Sequence, residues 1–185
     1  MDGQFYEDSR PPFVVTDAAA VTLSTTDKAI VPAVNMPTLG VNYFGMIGKQ
    51  VRIRVWGRAT TGATPGNGTW DIYWGTGADA NGTILASSAG VALVASQTSL
   101  TWELELFVRC RSLGSSGSLI CFGMFNTNSA GVIAAANQPV IIPASLPAAV
   151  TVDLTQNFVI SPQFKRSGST AETMQAHDFS FEAIN

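Results

Sequence analysis

Charge is what this sequence has least of. Only 12% of its 185 residues are Asp, Glu, Lys or Arg, against about 25% in an ordinary soluble domain. Because 46% of the residues are hydrophobic, the deficit does not signal disorder, which needs low hydrophobicity with high net charge. A net charge of −3 and a pI near 5.0 argue against the basic face of a nucleic-acid binder. Apolar runs are also short, and none approaches the roughly 18 residues that would suggest a membrane span. The opening stretch MDGQFYEDSRPP is acidic and polar, lacks the basic and apolar regions of a secretory signal, and leads us to expect a soluble protein made in the cytoplasm.

Cysteine and histidine are scarce. Two cysteines, Cys110 and Cys121, are too few for a secreted disulfide framework. We expect them as buried, reduced thiols packing as small hydrophobes. His177 is the only histidine, and no Cys/His cluster offers the three or four ligands of a zinc site. An all-oxygen cation site stays open on this inventory, but the thirteen acids show no calcium-loop spacing. No metal and no cofactor is expected.

What the chain has is a period of two. In residues 49–60, Val51, Ile53 and Val55 alternate with Arg52, Arg54 and Trp56. In 101–112, Trp102, Leu104, Leu106, Val108 and Cys110 alternate with Glu103, Glu105, Phe107, Arg109 and Arg111. Such alternation marks strands with one face in a core and one face wet. Residues 70–74 repeat it, and further candidates lie at 19–23, 84–86, 90–94, 118–125, 150–154, 158–164 and 179–183. Residues 139–147 (PVIIPASLP) hold three prolines and read as an edge strand or an extended crossing. Residues 130–138 and 170–175 have room for a helical turn or two. Short strands at this spacing predict an all-β sandwich or barrel.

Two pairings can be argued in advance. Residues 112–117 (SLGSSG) form a hairpin-type loop; if Arg111 faces Ser118, then Cys121 faces Val108, diagonal to Cys110. The wet faces of the two best strands set Arg52 and Arg54 against Glu103 and Glu105, and opposite charges across antiparallel strands add about 0.2–1 kcal/mol per pair, so these strands are expected to be neighbours. Trp70, Trp74 and Trp102 belong to the core. Trp56 shares its parity with the arginines and is the exposed or interfacial aromatic. Arg52, Arg54, Trp56, Glu103, Glu105 and Phe107 are therefore the candidate interface residues, since aromatics and arginine are enriched in interfaces.

Residues 1–17 differ from the rest. Arg10-Pro11-Pro12 favours extended backbone, while Phe5, Tyr6 and Phe13 are large apolar groups without an evident core of their own. The segment reads as an extended N-terminal arm that docks on another subunit, or as a leader folded against its own domain; residues 18–185 form the single domain.

Catalytic patterns are missing. Asp178 adjoins His177, but neighbours on a strand point to opposite faces. Glu103 and Glu105 lie about 6.8 Å apart along one strand face, inside the roughly 5–9.5 Å of glycosidase pairs, yet both face arginines that favour the charged form of a carboxylate, so neither could serve as the required acid. Residues 62–68 and 75–82 are glycine-rich but lack the Lys-Ser/Thr and the helix of a phosphate loop, and read as long hairpin connections. No enzyme is expected.

A resemblance enters at 48–57 (GKQVRIRVWG). It continues through a Thr/Gly turn, a strand ending Tyr73-Trp74-Gly75, GTILASS at 82–88, SLTWELEL at 99–106 and RCRSLGSSGSL at 109–119. In this order the chain resembles jelly-roll virion proteins of tailed bacteriophages over roughly residues 35–185, in pattern rather than in any active-site motif. The resemblance implies an antiparallel, tumour-necrosis-factor-like jelly-roll β-sandwich. It implies a homotrimer that decorates the outer surface of the virion and cements its capsid, with the major capsid protein as partner. The arm residues Phe5, Tyr6, Arg10 and Phe13 would then be the capsid-binding segment. Similar folds also serve as head fibres and tail tips that bind a host receptor or surface glycan, which is the alternative expectation.

Overall fold

The computed structural model describes residues 13–128, 131–133 and 137–184, and for residues 13–16 the backbone alone. Two antiparallel sheets pack face to face. The large sheet runs β1 (Phe13–Thr16), β13 (Thr173–Ala183), β4 (Gln50–Thr60), β8 (Leu100–Ser112), β9 (Gly117–Thr127) and β10 (Val140–Ile142), with β2 (Val21–Thr22) on β13 and β11 (Val150–Val152) on β9. The small sheet runs β3 (Lys28–Ala29), β12 (Val159–Arg166), β5 (Asn67–Gly75) and β6 (Thr83–Ser87), with β7 (Val91–Ala92) on β5. The chain changes sheet between β2 and β3, β3 and β4, β4 and β5, β7 and β8, β11 and β12, and β12 and β13. That repeated crossing is the winding of a jelly roll: the protein is an all-β sandwich, as its strand pattern predicts, wound as the resemblance implies.

The alternating residues fill the space between the sheets. Val51, Ile53 and Val55 of β4 and Leu104, Leu106 and Val108 of β8 are fully buried. From the small sheet Trp70, Ile72, Ile160 and Phe164 meet them. Trp70 is the hub, with ring centroids 5.7 Å from Trp102, 5.2 Å from Phe125 and 5.0 Å from Phe164. Burying each such side chain stabilises the fold by about 1.5–3 kcal/mol, and tilted or edge-on ring pairs add about 0.5–1.5 kcal/mol.

Several local expectations need correction. The sandwich begins at Phe13 rather than at residue 18, because residues 13–16 already pair with β13 (Phe13 with Phe181, Thr16 with Asp178). Residues 170–175 hold no helical turn: Thr173 starts β13, with Met174 and Ala176 alternating into the core. Residues 62–68 are a crossing between sheets rather than a hairpin, since β4 and β5 lie in different sheets, whereas 76–82 does join the paired strands β5 and β6. Gly82 has φ +119, and a Cβ there would sit 2.2 Å from the Trp74 carbonyl oxygen, so this hairpin needs glycine. In the β8–β9 hairpin Ser112, not Arg111, faces Ser118; Arg111 is bulged out, and beyond it Val108 faces Cys121. Both thiols are free and buried, and burial pushes that of Cys121 up to about 12. Residues 140–142 are the edge strand β10, as three prolines in nine residues suggest.

Candidate functional site

Strand parity puts all six candidate interface residues on one surface, the outer face of the large sheet. Arg52 faces Phe107, Arg54 faces Glu105 and Trp56 faces Glu103 across β4 and β8. Arg54 donates to Glu103 at 3.1 Å and approaches Glu105 at 3.7 Å; Arg52 lies 4.0 Å from Glu105. The sequence reading missed the third strand of this ladder, where Glu182 of β13 takes both Nε and Nη2 of Arg52, at 3.1 and 2.5 Å. Two guanidinium groups thus meet three carboxylates across three strands, which pairs both cations and leaves the ladder with one net negative charge. Beside the ladder Phe107 stacks on Phe122 of β9 with centroids 5.6 Å apart. Met124 and Ile141 lie opposite one another on β9 and β10 and are 39% and 55% exposed. Every outward residue of β4 from Arg52 to Arg58, and of β8 from Thr101 to Arg111, is half-buried or exposed.

Trp56 marks one end of this face. It is 39% exposed, while Trp70, Trp74 and Trp102 are buried, the division that the sequence predicts. The Arg54 guanidinium lies 5.9 Å from its ring centroid, within cation–π range. A hollow of about 240 Å³ opens beside it, bordered by Thr101, Glu103, Asn126 and Asn128.

His177 stands nearby at a bulge of β13. Its Nδ1 pairs with Asp17 Oδ1 at 2.7 Å, and Arg58 Nε donates to its Nε2, also at 2.7 Å. With Nε2 accepting from Arg58, Nδ1 is the nitrogen placed to donate to Asp17. Both nitrogens are engaged, so no side chain is left for the ring to activate as a nucleophile. Asp17 and not Asp178 is the partner; a contact spanning 160 residues leaves no trace in local spacing.

The small sheet carries the other polar cluster, also missed by sequence reading. Asp71 and Tyr73 of β5 and Ser161 and Gln163 of β12 point away from the core yet are buried. Gln163 accepts from the Ala80 amide at 2.6 Å and donates to the Ala78 carbonyl at 2.9 Å, pinning the 76–82 loop over them. Asp79 of that loop binds Lys28 at 2.6 Å and the Ala29 amide at 2.8 Å. Beneath, Lys165 bridges Asp71 and Asp27, Ser87 donates to Asp71, and Tyr73 donates to Asp27 at 2.9 Å. Burial and the neighbouring Asp71 push Asp27 above the usual carboxylate range. Burial also pushes Asp71 upward, but bonds from Lys165 and Ser87 outweigh it and hold this carboxyl below that range. Burial and Asp27 push the Tyr73 phenol up to about 12. These acids are tied into a lock between strands and loop.

No protein-family model matches the chain, and no curated protein matches it. Among the described residues no group of three or more His, Cys, Asp and Glu is placed to hold a metal ion, and no helix is long and apolar enough to cross a membrane. Of the arm candidates, Phe5, Tyr6 and Arg10 lie outside the described residues, and Phe13 contributes backbone to β1.

Proposed function

We propose that this chain is a structural subunit of a bacteriophage virion, a capsid decoration protein that acts as a homotrimer and has no catalytic role. The observation that carries the self-association is the outer face of the large sheet. It combines an ion-pair ladder, the Phe107–Phe122 stack and exposed Met124 and Ile141, spread over the long strands β4, β8 and β9 and the edge strand β10. Covering these ion pairs costs desolvation, though less than covering an unpaired charge, so the apolar side chains beside them drive the association. Obligate interfaces are more apolar than ordinary surface, and a chain with 12% charged residues supplies such surface widely. The capsid partner comes from the resemblance to jelly-roll virion proteins, and the residue 1–12 segment, with Phe5, Tyr6 and Arg10, is its proposed contact. Binding the assembled lattice but not its free subunits would stabilise the shell by mass action.

Light scattering with a capsid co-sedimentation assay tests both parts. The wild-type chain should run at three times its 19.5 kDa mass and pellet with capsids. Phe107→Asp should give a folded monomer. A monomeric wild type, or a Phe107→Asp protein of unchanged mass, overturns the assembly surface, and a trimer that never pellets with capsids overturns the capsid role. A tail or fibre tip is the second reading, favoured by one observation only, the hollow beside Trp56.

A further inference from the structure

A second binding function is written at the Trp56 end of the same face, and it does not depend on where in a virion the protein sits. An indole ring left 39% exposed keeps apolar surface in contact with water that burial would have removed. Around it the strand register collects groups of the opposite kind. Trp56, Glu103 and Asn126 form one row across β4, β8 and β9, and Thr101 and Asn128 close the rim. The side chains of Thr101, Asn126 and Asn128 make no hydrogen bond to another described residue, so two amides and a hydroxyl are free to act as donors and acceptors. Glu103 already holds Arg54, and the Arg54 guanidinium lies near the ring, giving the indole a held backing.

We infer that this hollow binds one neutral sugar ring. The apolar C–H face of a pyranose lies on an indole, while its paired hydroxyls need planar amide and carboxylate partners around the edge, which is the set present. The volume of about 240 Å³ lies below the roughly 300–1,000 Å³ of drug-sized sites, so it suits one ring rather than an oligosaccharide. The larger hollow of about 380 Å³ beside Lys165 and Arg166 does not compete. It has no aromatic platform, and its cations are spent on Asp71, Asp27 and Glu172.

The test is an NMR titration of the four tryptophan indole N–H signals with glucose, galactose, mannose and N-acetylglucosamine, beside light scattering. At least one sugar should shift the Trp56 signal saturably and leave those of Trp70 and Trp74 in place. Trp56→Ala should weaken binding by at least about tenfold and Asn126→Ala by a smaller factor, both with unchanged mass. The inference is overturned if no sugar in the panel shifts Trp56, or if Trp56→Ala binds as well as wild type. It is overturned equally if Trp56→Ala changes the mass, since Trp56 would then serve subunit contact. Loss of the trimer in Phe107→Asp, with the Trp56 shifts intact, would separate the two sites.

Discussion

On the small sheet, Asp71, Tyr73, Ser161 and Gln163 point outward and are nevertheless buried, because the 76–82 loop is pinned over them and the side chains of Lys165 and Asp27 bond to Asp71 and Tyr73. On the large sheet, Arg54, Trp56, Glu105 and Phe107 point outward, and their row stays half-buried or exposed. Both faces hold charged groups, but they satisfy them differently. The first directs its polar atoms at the chain's own loops, in a network where every loss leaves a buried group unpaired. The second pairs charges sideways and leaves apolar rings on top. The chain has finished one face itself and left the other for something else to cover. Substitution on the small sheet should therefore cost folding, and on the large sheet association.

The strongest way to break this contrast is Asp71→Ala. Lys165 would keep only Asp27, and Ser87 would lose its acceptor. Breaking a fully buried ion pair costs about 3–5 kcal/mol. Because the Lys165 side chain is 35% exposed, we expect about 2–3 kcal/mol here. For a chain this long that lowers Tm by about 4–12 °C, with the association state untouched. A variant that melts with wild type but runs at lower mass would invert the assignment of the two faces.

A smaller effect should appear in the pH dependence. Asp27 is raised in the folded state, so the stability it contributes is complete below its unfolded value and is lost as pH rises through the folded one. Asp71 is depressed and contributes in the opposite sense, its share being lost as pH falls. Asp27→Asn removes only the first titration and keeps an oxygen for Tyr73. Its Tm relative to wild type should be more positive at pH 7 than at pH 4, by less than the loss in Asp71→Ala. Thermal melts across that range check it, and a difference that is flat or runs the other way would show that Asp27 is not the group holding the proton.

The two faces were not equally legible from sequence. Strand alternation placed Arg52, Arg54 and Trp56 against Glu103, Glu105 and Phe107, since period-two parity and cross-strand charge matching are both local signals. The register of Val108 against Cys121 matches the expectation, but by another turn: Ser112 faces Ser118 and a bulge at Arg111, which loop length does not reveal, restores the pairing. The small-sheet lock could not be read this way. Asp27, Asp71 and Lys165 are separated by 44 to 138 positions, and β5 carries Asp71 inside Trp70–Trp74, where an acid in an apolar strand looks like an ordinary solvent-facing residue. Its partners Lys165 and Ser87 come from other strands, and only their assembly into one sheet shows that it is buried. The same holds for Asp17 with His177, and for Glu182, whose strand had to be placed beside β4 before its charge acquired a partner. The helical turn imagined at 170–175 failed because β13 begins early, extended by its pairing with β2 and β4.

The mildest test bears on the open face alone. Arg54 is the centre of the ladder, touching Glu103 and Glu105 and lying near the Trp56 ring, but its side chain is 37% exposed. Pairs this wet contribute about 0.2–1 kcal/mol. Arg54→Met keeps the apolar stem and removes the charge, so Tm should fall by about 1–3 °C. At about 1 M salt the Debye length shrinks to about 3 Å, and the gap between variant and wild type should close. The gap from Asp71→Ala should survive that salt, because the Asp71 carboxylate is only 2% exposed and buried pairs are screened far less. If salt leaves the Arg54 gap as wide as before, the ladder is held by packing rather than by charge, and the two faces differ less than their exposures suggest.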